Sequence, residues 1–139
     1  LKEGTFNKLA IANPKLAPYG AASLQVLSHL GLTDDTQAKW VRGENVAQAY
    51  QFVSSGNADL GFIALSQLLG RNKMQQGSYW LVPRIMHHPI KQDAVLLRSA
   101  EKSQGAQVFL DFIHTTKAQN IIAEYGYLMS NRLNTEQGI

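Results

Sequence analysis

Short apolar runs that stop at turn residues, each followed by a segment with helical periodicity, constrain this chain more than any other feature. The first run is Lys8-Leu9-Ala10-Ile11-Ala12, closed by Asn13-Pro14. It is too short for a core helix, and Asn-Pro is turn chemistry, so it reads as a buried strand. From Tyr19 to about Leu30, Ala22, Val26, Leu27 and Leu30 recur at helical spacing. Pro18 suits a first helical turn, where a missing N–H costs nothing, and Gly31 supplies the stop. Lys39-Trp40-Val41 is the next strand candidate, followed by the turn Arg42-Gly43-Glu44-Asn45. Asn45 is a good N-cap, because its side-chain oxygen can accept a free N–H of the helix it opens. That helix runs from Val46 to Ser55, with Val46, Ala49, Tyr50 and Val53 on one face, and Gly56 ends it.

Asp59 to Leu65 reads as another buried strand, and Ser66 as the cap of a short helix, Gln67 to Leu69. Arg71 to Gly77 is a polar loop. Ser78 to Val82 and Gln92 to Arg98 are further strand candidates, with an irregular stretch from Pro83 to Pro89 between them. Two helices follow. Glu101 to His114 places Ala106, Phe109, Leu110 and Ile113 on one face, and Thr116 to Tyr125 is stopped by Gly126. Leu128 to Ile139 is mostly polar and reads as a loose tail. Strands alternating with helices predict an α/β fold, a parallel or mixed sheet covered by helices. In such folds ligands bind outside the carboxyl ends of the strands. Attention therefore falls on three strand-to-helix turns: Asn13 to Gly20, Gly43 to Val46, and Ala64 to Ser66.

Composition narrows the function. With 139 residues, 45% hydrophobic and 17% charged, the chain suits one globular domain rather than a disordered or coiled-coil protein. No apolar run approaches the roughly 20 residues of a membrane-spanning helix. Leu1-Lys2-Glu3-Gly4 lacks the basic start and apolar stretch of a signal peptide, so none is expected within the chain, and the absence of Met there fits a processed or cut end. Cys is absent, which removes disulfides, thiolate metal sites and a Cys nucleophile. The net charge of +3 is scattered, without the Lys/Arg cluster that nucleic-acid binding requires.

Each of the three turns can aim helix-start N–H groups at one point, and with the helix dipole these bind anions without a charged side chain. Tyr19-Gly20 has two readings. Gly20 admits a ligand to the backbone and Tyr19 offers its hydroxyl, or Tyr19 packs and Gly20 relieves crowding between helix and strand. The remaining candidates favour plain structural roles. His87 and His88 are adjacent on an extended segment and point to opposite sides, so they do not chelate one ion. His29 lacks a carboxylate at helical spacing, and His114 has only Asp111. Ser23 and Ser66 lie outside any G-x-S-x-G string. Glu44 reads as a charge at a helix start and Asp59 as a strand-start residue rather than an acid/base pair. Tyr79 and Trp80 have no interleaved basic residues to make a base-stacking platform.

Several strings go beyond pattern: Ile11-Ala12-Asn13-Pro14-Lys15-Leu16-Ala17-Pro18-Tyr19-Gly20-Ala21-Ala22, Gly43-Glu44-Asn45-Val46-Ala47-Gln48-Ala49, and Gly56-Asn57-Ala58-Asp59-Leu60-Gly61-Phe62-Ile63-Ala64-Leu65-Ser66. With Ile90-Lys91-Gln92-Asp93-Ala94 and Glu124-Tyr125-Gly126-Tyr127, they resemble the periplasmic molybdate-binding receptors of ABC transporters, in order and spacing, from Lys8 to Tyr127. The resemblance implies the C-terminal portion of a type II periplasmic-binding protein: an α/β lobe with a mixed, mostly parallel sheet flanked by helices. It implies an incomplete second ligand-binding lobe over 1–98, C-terminal helices over 99–127 that pack on an absent first lobe, and a polar tail over 128–139. An exposed apolar face on those helices, or an intermolecular contact there, is expected.

The implied function is periplasmic reception of a tetrahedral oxyanion, molybdate or tungstate, for a membrane permease. It needs no catalysis, no cofactor and no nucleic acid, and molybdenum enters only as molybdate. The family's second-lobe ligand positions fall on Tyr19 and Val46, with Gly20, Asn45, Ala64 and Ser66 beside them. Some members carry a Tyr where this chain has Ala64, and Tyr19 is expected to compensate. Two other readings use the same scaffold: a receptor for another oxyanion or small organic anion, and the effector-sensing domain of a transcription regulator. A deaminase-like enzyme would need a nucleophile or acid/base pair, and none is nominated.

Overall fold

The computed structural model describes residues 5–69 and 77–128. Three parallel strands form the sheet: β1 (Leu9–Ala12), β2 (Trp40–Gly43) and β3 (Leu60–Gly61), in the order β2-β1-β3. The register pairs Leu9 with Trp40 and Ala12 with Gly43 on one side, and Leu9 with Leu60 and Ala10 with Gly61 on the other. Because all strands run the same way, every chain exit toward a following helix lies at one edge. The helices are α1 (Pro18–His29), α2 (Thr33–Gln37), α3 (Val46–Ser54), α4 (Gln104–Ile113) and α5 (Thr116–Glu124).

Alternation along β1 divides the core. Leu9 and Ile11 face one side and pack with Phe6, Leu27 and Leu32, with Leu30, Trp40 and Phe62 around them. Ala10 faces the other side, with Ala49 and Ala58, flanked by Phe52 and Val53. That second layer consists of small residues because α3 lies close on the sheet. A Cβ added at Gly61 would come within 2.5 Å of Val53 Cγ2 and 3.2 Å of Ala10 Cβ. The α1 residues expected to face the core do so: Ala22, Val26 and Leu27 are buried. Gly31 takes a φ of +67°, the left-handed conformation that ends the helix.

Several expectations change. Arg42-Gly43 belongs to β2 rather than to a turn, because Gly43 pairs with Ala12 and its carbonyl accepts the Asn13 N–H at 2.6 Å. The sequence reading assigned nothing to Leu32–Ala38. There α2 forms, with Asp34 and Asp35 in its first turn and Thr36 buried. The Thr36 hydroxyl donates to the Leu32 carbonyl at 2.7 Å and accepts from Trp40 Nε1 at 3.0 Å.

The strand expected over Asp59–Leu65 pairs only at Leu60–Gly61. One more ladder bond, Phe62 N–H to the Ala10 carbonyl at 2.9 Å, follows before the chain turns away. The next ladder donor, the Ala64 N–H, is instead taken by the Gln67 side chain. This also moves the short helix: a 3-10 turn spans Leu65–Gln67 with Ala64 before it, so Ser66 is inside the turn and does not cap it.

Ser78–Val82 and Gln92–Arg98 form no strand. Among the described residues they have no ladder partners, and β-prone side chains alone do not make a strand. The last two helices form, α4 starting at Gln104 with Ser103 as its cap. None of the α4 residues is buried, and Val108, Phe109 and Phe112 are exposed. The readings for 71–76 and for the tail beyond Leu128 lie outside the described residues. Among those described, no helix is long and apolar enough to cross a membrane.

Candidate functional site

The corner after β1 is organised by Asn13. Its side-chain oxygen accepts the Lys15 N–H at 3.0 Å, and its carbonyl accepts the Leu16 and Ala17 N–H groups at 3.1 and 2.9 Å. The turn delivers the chain into α1 with Ala17 extended and with no side-chain cap. In the first helical turn Pro18 has no N–H, and the Gly20 and Ala21 N–H groups go to the Ala17 carbonyl at 2.9 and 3.2 Å. The Tyr19 N–H is the donor left over: among the described residues nothing accepts it. Gly20 sits against the β1 exit. A Cβ there would lie 2.7 Å from the Asn13 carbonyl carbon and 2.8 Å from that of Ala12. Close helix-to-strand packing therefore accounts for Gly20. Ser23 is equally occupied, its hydroxyl donating to the Tyr19 carbonyl at 2.7 Å.

The corner after β2 is built by a cap and a reciprocal bond. Asn45 Oδ1 accepts the Gln48 N–H at 3.0 Å, and the Asn45 carbonyl accepts the Ala49 N–H at 3.2 Å. Gln48 Oε1 reaches back to the Glu44 N–H at 2.7 Å. These bonds leave the Val46 and Ala47 N–H groups of the first turn without acceptors among the described residues. Neither α1 nor α3 carries an acidic residue in its first turn, and Glu44, just ahead of the Asn45 cap, is the carboxylate-bearing residue next to the α3 start.

The third corner supplies no free backbone donor at Ala64. Its N–H is held by Gln67 Oε1 at 2.8 Å, and Gln67 Nε2 donates to the Val46 carbonyl at 3.3 Å. Gln67 thus fastens this corner to the start of α3. Ser66 Oγ accepts from the Tyr127 hydroxyl at 3.3 Å. Burial first, then the neighbouring charge and hydrogen bond of Tyr127, push the Tyr19 phenol above its ordinary value of 10.0, so it stays neutral throughout the physiological range.

Hydrogen bonds therefore join Val46 to Ala64 through Gln67, and Ser66 to Tyr127, while Tyr19 opens α1 at the neighbouring strand exit. Gln67 and Tyr127 were not singled out as chemistry in the sequence. Tyr127 was visible only within Glu124-Tyr125-Gly126-Tyr127, and Gln67 only by its position three residues past Ala64. Among the described residues no cluster of His, Asp or Glu could hold a metal ion. His87 Nδ1 instead lies 2.8 Å from the His88 carbonyl.

The family model for bacterial extracellular solute-binding proteins matches residues 1–128. The chain belongs to this family. It is 50% identical over 127 residues to the molybdate-binding protein ModA of Azotobacter vinelandii, covering 91% of this chain and 50% of that one. It is 46% identical over 120 residues to ModA of Rhodobacter capsulatus, covering 86% and 46%. The solved periplasmic molybdate-binding protein of A. vinelandii superposes with a TM-score of 0.83 at 39% identity, covering 90% of this chain and 55% of that structure. The substrate-binding domain of a putative molybdenum ABC transporter from Clostridium difficile superposes with a TM-score of 0.64 at 27% identity, covering 91% and 56%. The fold is thus the α/β fold of periplasmic binding proteins, and the chain spans about half the length of the relatives it matches.

Proposed function

We propose that this chain forms one lobe of a periplasmic receptor for a tetrahedral oxyanion, molybdate or tungstate, that feeds an ABC importer. The observation that carries the reading is the pair of helix starts at one sheet edge, each with unused donors: the Tyr19 N–H on α1 and the Val46 N–H on α3. Both residues contact the anion through the main chain. Asn45 holds Val46 in place by capping α3, Gly20 lets α1 approach the β1 exit, and Ala64 and Ser66 line the neighbouring corner. Charge-assisted bonds from N–H to an anion are roughly twice as strong as neutral pairs. Donors of this kind bury no opposing charge and favour an acceptor-only oxyanion, because a protonated one brings a hydrogen with no partner.

The other donors come from the rest of the receptor, which closes over this edge. The exposed apolar residues of α4, Val108, Phe109 and Phe112, pack on that first lobe, or on another molecule where it is absent. Binding and release, rather than catalysis, is the activity, and no cofactor takes part. Identity to two molybdate-binding proteins near one half supports the choice of ligand. Isothermal titration of the intact receptor with molybdate, tungstate, sulfate and phosphate tests it. Molybdate and tungstate are expected to bind well ahead of the other two, and preference for sulfate or phosphate overturns the ligand assignment.

A further inference from the structure

Two of the three corners use a glutamine in the same way. Gln48 is the third residue after the Asn45 cap, and its Oε1 accepts the Glu44 N–H at 2.7 Å. Gln67 is the third residue after Ala64, and its Oε1 accepts the Ala64 N–H at 2.8 Å. At this position of a helix start, glutamate and glutamine both serve to reach back to a free backbone N–H. Glutamate offers the fold two advantages over glutamine. A carboxylate accepts a backbone N–H more strongly than an amide does, and a negative charge in the first turn suits the helix dipole. The short α2, which leads into the entry end of β2, carries such charges on Asp34 and Asp35. The first turn of α3 carries none. Gln48 is half-buried two residues past Val46, whereas Glu44, the carboxylate-bearing residue ahead of the cap, is exposed.

We propose that Gln48 is a positioning residue of the oxyanion site because it is neutral: its amide oxygen fixes the Glu44–Asn45 corner as a carboxylate would, without setting a negative charge beside the anion at the Val46 N–H. The inference rests on the oxyanion reading above. One helix start has to be held firmly and also has to attract a doubly charged ion. An acidic side chain and the ion draw on the same positive dipole end, so a carboxylate at position 48 strengthens the corner and opposes the ligand. Repulsion of a dianion is twice that of a monoanion at equal distance, and half-burial removes part of the solvent screening that an exposed Glu44 enjoys. Gln67 repeats the arrangement on the adjoining corner. Its Nε2 also donates to the Val46 carbonyl at 3.3 Å, a bond that no carboxylate makes. Substitution of Gln67 by glutamate therefore mixes a lost bond with a gained charge, and Gln48 is the residue at which charge alone can be changed.

The test compares Gln48→Glu and Gln48→Ala in the intact receptor chain, with Gln51→Glu, exposed and further along α3, as the control for added charge. Thermal melting and isothermal titration with molybdate are read on each. Gln48→Glu is expected to melt at or above the parent temperature, and Gln48→Ala, which loses the bond to the Glu44 N–H, below it. Molybdate affinity is expected to run in a different order. Gln48→Glu binds weakest, about 10-fold or more below the parent, the scale of a carboxylate facing a double charge near a protein surface. Gln48→Ala falls between the two. Gln51→Glu is expected to stay within about 2-fold of the parent, because salt screens a more distant, exposed charge. Parental affinity in Gln48→Glu overturns the proposal. So does affinity that follows melting temperature across the two Gln48 variants, which marks a merely structural contact, and so do equal losses in Gln48→Glu and Gln51→Glu, which mark a response to net charge alone. A parent protein that binds no molybdate contradicts the oxyanion reading itself, and the role of Gln48 falls with it.

Discussion

Gln67 donates from its side-chain amide to the Val46 carbonyl at 3.3 Å, while its amide oxygen accepts the Ala64 N–H at 2.8 Å. One side chain thereby ends β3, starts the Leu65–Gln67 turn and braces the helix start where Val46 offers its N–H. Gln67→Ala removes both bonds and leaves the Ala64 N–H unpaired in a residue that is only 3% exposed. The expected cost is about 2 kcal/mol of folding stability, at about 1 kcal/mol for each bond lost. Urea denaturation measures it. Oxyanion affinity is expected to fall alongside, since the α3 corner loses its brace.

Gly20 is the tightest point between α1 and the sheet. In Gly20→Ala the new methyl group meets the backbone of Ala12 and Asn13, which cannot rotate away as a flexible side chain would. Destabilisation of about 1–3 kcal/mol is expected, the range for overpacking a close contact. Thermal melting reads this. Retention of the parental melting temperature would show that α1 can move off the β1 exit at no cost.

Acid sensitivity is expected to involve Asp59. Its carboxylate accepts the Lys8 N–H at 2.8 Å and the Asn7 N–H at 2.9 Å, and these bonds hold its pKa below the ordinary 3.8. A lowered folded-state pKa contributes stability that is present above the unfolded value and lost as pH falls through the folded one. The contribution is therefore intact at neutral pH and disappears below about pH 4. Asp59→Asn is expected to flatten the acid limb of a stability-against-pH curve while leaving the curve's shape near neutrality unchanged.

Local chemistry made much of this legible from sequence. Asn45 opens α3 because the cap and the N–H it accepts lie three residues apart, and Pro18 and Gly31 bound α1 through their own backbone preferences. The three corners were legible for the same reason, since each is a turn between one strand and one helix. What was not legible depends on contacts distant along the chain. Gln67 meets Val46 across 21 residues, and Tyr127 meets Ser66 across 61. The length of β3 was missed because its end is set by the Gln67 side chain and not by strand propensity. Ser78–Val82 and Gln92–Arg98 looked like strands by composition, but a strand is a property of a pair. The short α2 was missed because its Thr36 is held by Leu32 and Trp40, contacts that hydrophobic periodicity does not register.

The most direct test of a main-chain oxyanion grip removes one N–H and little else. Val46 is the first residue of α3, where proline is tolerated, and Asn45 before it is extended with φ −144° and ψ 174°, as a residue preceding proline must be. In the intact receptor, Val46→Pro is expected to fold as a helix and to lose molybdate affinity by about 10- to 100-fold, the worth of one hydrogen bond to a charged group. Val46→Ala, which keeps the N–H, is expected to lose far less. Equal molybdate affinity in Val46→Pro and the parent, measured by isothermal titration, would contradict the claim that the α3 start holds the anion.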